Sequence, residues 1–151
     1  PMIIHSQTLG NIDIDPARII QFPEGIPAFE EEKEFILIPL EEGPFCYLQS
    51  VHNSRLCLLM ADPFVFFPGY QVDLPDEELA KIEAQDHEKN LAVYAIISVP
   101  EDFRQSTANL MAPVIINMNR QKGLQFISSQ PDYKTKHLLF PADQKVKEEG
   151  K

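Results

Sequence analysis

The sequence predicts an all-β domain, mainly antiparallel, folded as a compact β-barrel-like body or a two-sheet sandwich with one short helix around residues 74–85. Three observations carry this expectation. Apolar residues come in about ten short runs rich in Ile, Val, Leu, Phe and Tyr, side chains that suit a pleated, half-buried surface. Turn-forming residues separate the runs so closely that no room is left for the crossover helices of βαβ units. Thirteen prolines punctuate the chain, and a proline, with no N–H to give a ladder, belongs at strand ends, edges and bulges.

Met2–Thr8, Ile12–Ile14 and Ile19–Phe22 are Ile-rich segments, with Gly10-Asn11 as a candidate hairpin turn because both residue types tolerate positive φ. Phe35–Leu40 and Phe45–Ser50 flank the turn Glu41-Glu42-Gly43-Pro44. Leu56–Ala61 follows the turn-like His52-Asn53-Ser54. Leu91–Val99 is the longest apolar run, and Thr107–Ala112, Val114–Met118 and Leu124–Ser128 complete the set, with Pro113 dividing two of them. The helix rests on Asp73-Leu74-Pro75-Asp76-Glu77-Glu78, which loads its first turn with acid at the positive end of the dipole. Leu79 and Ile82 then recur at helical spacing. One domain over 2–141 is expected, with 142–151 a frayed or disordered tail.

Length and composition agree. A chain of 151 residues is one domain by the usual prior, and about 70% of its extended surface can be buried. No apolar run reaches the roughly 20 residues of a membrane span, and the N-terminus lacks the pattern of a secretion signal. Pro1 before Met2 reads as a remnant of tag removal. Two cysteines, Cys46 and Cys57, exclude a disulfide scaffold and point to a reducing, cytoplasmic setting.

Charge is the most informative composition term. The chain holds 13 basic and 23 acidic residues, a net charge of −10. Residues 1–102 carry 19 acidic against 5 basic side chains, whereas 103–151 carry 4 against 8. Such an acidic surface repels a phosphate backbone, so direct nucleic-acid binding is not expected. A basic protein partner fits better.

The chain offers little for chemistry. His5, His52, His87 and His137 stand far apart in sequence, without HxxxH or HExxH spacing. Cys46 and Cys57 lie in apolar runs, where thiols act as small hydrophobes. GxGxxG, GxxxxGK[ST] and GxSxG are all absent. Glu30-Glu31-Glu32 and Glu41-Glu42 read as solvated loops. The expectation is a non-enzyme without metal or cofactor.

Four segments use residues that are costly unless the backbone needs them. Phe22-Pro23-Glu24-Gly25-Ile26-Pro27-Ala28-Phe29-Glu30 sets a fixed bend. Phe45-Cys46-Tyr47-Leu48-Gln49-Ser50 is an aromatic strand with a polar end. Ala61-Asp62-Pro63-Phe64-Val65-Phe66-Phe67-Pro68-Gly69-Tyr70 is a proline-bounded aromatic cluster. Thr107-Ala108-Asn109-Leu110-Met111-Ala112-Pro113-Val114-Ile115-Ile116-Asn117 precedes Gly123 and Gln125. In this order, over Met2–Phe140, the four together resemble the FliW family of flagellar assembly factors. The departures are Ala28, where that family commonly has glycine, and Tyr47, where it has tryptophan; Ala28 makes positive φ costly, so a slightly altered bend is expected.

The resemblance implies a cytoplasmic regulator, monomeric on its own, that binds the RNA-binding repressor CsrA. It implies non-competitive relief of repression of flagellin mRNA, and sequestration by flagellin itself. A dedicated flagellin chaperone is the alternative, and a ligand-binding or catalytic barrel a third reading. Most motif residues read as fold determinants: Phe64, Phe66, Phe67 and Tyr70 as core, and Asn109 and Asn117 as closing turns or satisfying buried backbone groups. For partner contact the candidates are the acidic loops beside aromatics: Glu24, Phe29, Glu30, Glu31, Glu41 and Glu42, with Asp76, Glu77 and Glu78 at the helix start. Phe29 and Tyr47 are the candidate anchors.

Overall fold

In a computed structural model of the chain, describing residues 2–86 and 90–142, ten strands and two short helices are arranged as a closed barrel with a hairpin on its flank. His87 and the segment 143–151 of the expected tail lie outside the described residues. The strands are β1 (Met2–Ser6), β2 (Gly10–Ile14), β3 (Ile20–Gln21), β4 (Glu34–Pro39), β5 (Phe45–Ser50), β6 (Cys57–Ala61), β7 (Leu91–Ser98), β8 (Thr107–Asn117), β9 (Lys122–Gln125) and β10 (His137–Leu138); the helices are α1 (Pro63–Phe66) and α2 (Asp76–Lys81).

Strands β8-β7-β6-β5-β4-β3-β9 follow one another round the barrel, and β9 pairs back onto β8 to close it. Every pairing is antiparallel except β3 with β9, which run parallel at Gln21 and Lys122. The expected all-β, mainly antiparallel barrel is therefore observed. Phe22, Phe35, Leu48, Met60, Val114 and Ile116 fill its interior. Phe22 and Phe35 meet edge to face, centroids 4.8 Å apart, a geometry that suits the ring quadrupoles.

Three layers cover the outer wall. The β1–β2 hairpin lays Ile4 and Ile14 over Ile36 and Val51. Helix α2 sets Leu79 and Ile82 against Ile115 and Leu124. Residues around Tyr70 and Leu139 cover Ala61, Ala95 and Ala108. A strand covered on both faces reads as a continuous apolar run, which accounts for the unbroken burial of Ala112–Asn117.

Several local expectations change. The first hairpin turns at Gln7-Thr8-Leu9, not at Gly10-Asn11, because Ser6 pairs with Gly10 and its Oγ accepts from the Leu9 N–H at 2.9 Å. Gly10, at φ +79°, is the left-handed residue that closes a three-residue loop.

Pro113 does not divide two strands; β8 runs through it. Opposite β7 the register jumps from Tyr94–Val114 to Ile96–Asn109, so residues 110–113 bulge out against Ala95 alone. The freed backbone groups find partners. Asn109 Oδ1 accepts from Met111 and Ala112, Tyr70 Oη donates to the Leu110 carbonyl at 2.7 Å, and Gln125 Nε2 donates to Ala112 O. Phe126 N–H donates to the Pro113 carbonyl. A bulge this large inside a core needs such accounting.

The helix of 74–85 is shorter, Asp76–Lys81. It ends because Glu83 turns left-handed at φ +55° while the Ala84 N–H returns to Leu79 O and the Glu83 N–H to Ala80 O, the Schellman pattern. Buried Asn117 then donates Nδ2 to the carbonyls of Ile82 and Glu83. The roles expected of Asn109 and Asn117 are thus both observed.

Candidate functional site: an acidic bend beside a helix start

The bend from Phe22 to Glu32 is held by its own backbone. Phe22 and Ile26 are buried and anchor it. The Gly25 N–H donates to Phe22 O, Phe29 to Ile26 O, and Glu32 to Phe29 O. Gly25 has φ +65°, and a Cβ there would lie 2.5 Å from the Glu30 carbonyl oxygen, so only glycine lets the two arms of the loop pass. Pro27 followed by Ala28 at φ +75° is the signature of a type II turn. Ala28 thus adopts the left-handed dihedral that glycine favours at this place in the turn. The result pushes Phe29, 41% exposed, into solvent between exposed Ala28 and exposed Glu30 and Glu31.

Glu32 points back, accepting from Ser50 Oγ at 3.0 Å. Beside it, Glu34 accepts from Gln21 Nε2 at 2.9 Å and pairs with His52 Nε2 at 2.7 Å. The Gln21 amide, and after it the His52 ring, hold the Glu34 carboxyl below its ordinary range.

Helix α2 stands next to this bend. Lys81 Nζ lies 3.0 Å from Glu78 Oε1 and 3.2 Å from Glu24 Oε1, tying helix to loop. Asp76 and Glu77 are exposed in its first turn. Through Lys81 the structure links Glu24 of the bend to Glu78 of the helix; Phe29, Glu30 and Glu31 are exposed on that bend and Asp76 and Glu77 on that helix, with Lys33 and Lys81 offsetting part of the charge. Lys33 Nζ donates to the Pro23 carbonyl.

It does not bring Glu41 and Glu42 there. Their turn follows the far end of β4, on the order of 17 Å from its start at ~3.3 Å per residue. The turn adjoins α1 instead, through an Asp62 N–H to Pro44 O bond. Tyr47 lies half-buried on the outer wall between its cross-strand neighbours Ile38 and Leu59, apart from both acidic groups.

The aromatic cluster differs from expectation at one position. Tyr70 is buried, and Phe66 and Phe67 pack against the outer core. Phe64 is 42% exposed and its neighbour Val65 59%. The reason is a helical turn: Asp62 Oδ1 caps the Phe64 N–H with Pro63 in the first helical position. The Asp-Pro pair could have signalled that turn. From Phe45 a chain of ring contacts runs through Phe66 and Phe140 to Phe103, which is 63% exposed. This second, apolar surface was not foreseen.

Among the described residues, no group of three or more His, Cys, Asp or Glu is placed to hold a metal ion. No described helix is long and apolar enough to cross a membrane. Burial pushes the Cys46 thiol up to about 11, away from the reactive thiolate form.

A small closed barrel that displays an acidic bend and, elsewhere, exposed aromatics has the build of a protein-binding module. Sequence comparison makes the class specific. The profile of the family described as FliW protein matches residues 3–139. The flagellar assembly factor FliW of Syntrophomonas wolfei is 49% identical over 150 residues, 99% of this chain and 96% of that protein. That of Geobacillus sp. strain WCH70 is 46% identical over 140 residues, covering 93% and 96%. A crystal structure of the flagellar assembly factor FliW superposes with a TM-score of 0.88 at 41% identity, covering 93% of this chain and 98% of that one. The chain belongs to the FliW family.

Proposed function

We propose that this protein is a cytoplasmic, non-enzymatic flagellar assembly factor that binds the RNA-binding repressor CsrA and weakens its hold on flagellin mRNA without occupying the RNA-contacting surface, and that flagellin in turn sequesters it. The observation that carries the reading is exposed Phe29, flanked on its bend by the exposed carboxylates Glu24, Glu30 and Glu31, with Lys81 tying Glu24 to the acid-loaded helix that exposes Asp76 and Glu77. An aromatic anchor rimmed by charge is the composition of an interface centre. Carboxylates beside a cationic groove repel incoming phosphates, but at physiological salt the field decays over ~8 Å, so this face must dock close to the RNA path. A coupling of about 1–3 kcal/mol would weaken RNA binding roughly 5–150-fold, and RNA would weaken this protein's binding equally.

The test is titration of CsrA with the Glu30→Lys/Glu31→Lys variant, alongside a gel-shift of CsrA-bound RNA. The reading expects weaker binding and less RNA released. Unchanged affinity at low salt removes the bend from the interface. A second reading, a flagellin chaperone without effect on RNA, draws on the exposed Phe64, Val65 and Phe103, which suit an amphipathic helix. It predicts suppressed flagellin aggregation and an unchanged RNA shift.

A further inference from the structure

One stretch of barrel wall is missing a neighbour. Ladder phase on β4 is fixed on both sides. Leu40 N–H donates to Phe45 O and Val51 N–H to Glu34 O, so even-numbered residues bond β5. Odd-numbered residues therefore face β3, as Phe35 does opposite Ile20. The next place on that ladder, opposite Leu37, belongs to Arg18, but the chain has already left for a 3-10 turn in which Arg18 N–H bonds Asp15 O. The N–H and C=O of Leu37 and the C=O of Pro39 consequently point to the β3 side of β4 past the place where β3 has left the ladder, the pairing on that side ending at Phe35.

Space lies on both sides of that edge. On one side, an open recess of about 450 Å³ is walled by Ile20, Leu37 and Met118, with Arg18 and Gln121 at its polar margin. On the other, a groove of about 240 Å³ separates Ile12–Asp15 from Ile36–Pro39. Three consecutive residues of β2, with Asp15 just after it, and four of β4 line it, both pleat faces alike, as happens when a groove follows backbone edges rather than a sheet face. Its charged groups are Asp13, Asp15 and Arg18, with Glu41 and Glu42 beyond the Pro39 end.

We infer that the β4 edge accepts an extended segment of a partner protein as an added strand, with apolar side chains at alternate positions and basic ones between. Strand addition supplies main-chain bonds for Leu37 and Pro39, while alternate pockets read the side chains. Apolar residues enter the recess over Ile20 and Leu37, and basic residues face outward to Asp13 and Asp15. This surface lies apart from the acidic bend and does not depend on the reading given there.

The probe is a blocked octapeptide alternating lysine and valine, added to the full isotope-labelled chain. The expected result is amide shifts confined to residues 12–20 and 36–39, with exchange of the Leu37 N–H slowed at least about tenfold when bound. The same peptide with glutamate for lysine should not bind. Methylating alternate peptide amides in one phase should abolish binding and in the other should spare it, as an edge ladder requires. Asp13→Lys, at an exposed position, should weaken binding about two- to fivefold, the span of a surface ion pair. Shifts centred elsewhere, equal binding of both methylated peptides, or no shift at millimolar peptide would each overturn the inference.

Discussion

Exchanging Ala28 for glycine should make this protein more stable, the opposite of the usual effect of introducing glycine. Ala28 sits at φ +75°, where an L-residue is disfavoured by about 1–2 kcal/mol. Glycine removes that strain but adds freedom to the unfolded chain, worth about 0.4–1 kcal/mol. The net gain is about 0.5–1 kcal/mol. The companion change, Gly25→Ala, works the other way. It imposes the same left-handed strain at φ +65° and puts a Cβ 2.5 to 2.7 Å from the backbone O, Cα and C of Glu30, so the loop must open. Overpacking of that kind adds about 1–3 kcal/mol, for a total near 2–4 kcal/mol after the unfolded-state offset. Urea unfolding checks both, since a slope near ~2 kcal/mol per molar turns these values into midpoints raised by about 0.3–0.5 M and lowered by about 1–2 M. A destabilised Ala28→Gly together with a mild Gly25→Ala would refute the type II turn and with it the presentation of Phe29.

Other consequences can be measured on the same footing. Gly123→Ala places a Cβ 2.6 Å from Cζ of fully buried Phe22; calorimetry should show a loss of about 1–3 kcal/mol, and Phe22→Leu in the same chain should recover part of it through a non-additive cycle. Asn117→Ala removes donors to Ile82 O and Glu83 O and an acceptor for Asn119 and Arg120, so a loss of about 3 kcal/mol is expected, read as a melting temperature lower by roughly 6–12 °C. For pH, the Cys46 thiol is raised from 9.0 to about 11; its contribution is present below pH 9, where both states are protonated, and is lost between about 9 and 11 as the unfolded chain ionises first. Two pH units correspond to about 2–3 kcal/mol, so Cys46→Val should flatten the stability curve over that window. The thiol should also react with alkylating agents more slowly than Cys57, which is half-buried.

What could be read from the chain followed from how local each cause is. The strand segments and the acid-loaded start of α2 were legible because alternation, turn residues and helix-dipole preference act within a few residues. The turn at Gln7-Thr8-Leu9 was misplaced because Gly10 supplies its positive φ after the turn rather than inside it. For Pro113 the sequence allows a strand end, an edge or a bulge; that it is a bulge inside one long strand depends on Asn109, Tyr70 and Gln125, and the latter two reach it only through the fold. The early end of α2 likewise depends on Asn117, 35 residues away from Ile82. At the candidate site, Phe29 stands out in the sequence only through its acidic neighbours; its exposure follows from the left-handed turn at Ala28. The separation of Glu41 and Glu42 from the bend was not legible, since it depends on which end of β4 each loop leaves.

That separation bears on how the acidic charge can act. A carboxylate influences a partner's phosphates only within about a Debye length, ~8 Å at physiological salt, and the two acidic loops stand at opposite ends of a strand about 17 Å long. The net charge of −10 is therefore not one field but at least two local ones. The field at the bend is partly offset by Lys33 and Lys81, while the turn at Glu41 and Glu42 adjoins the apolar surface that begins at α1. A barrel, unlike a sandwich with one broad face, holds its two rims apart by the length of its strands, so each rim can carry its own contact chemistry without electrostatic interference from the other.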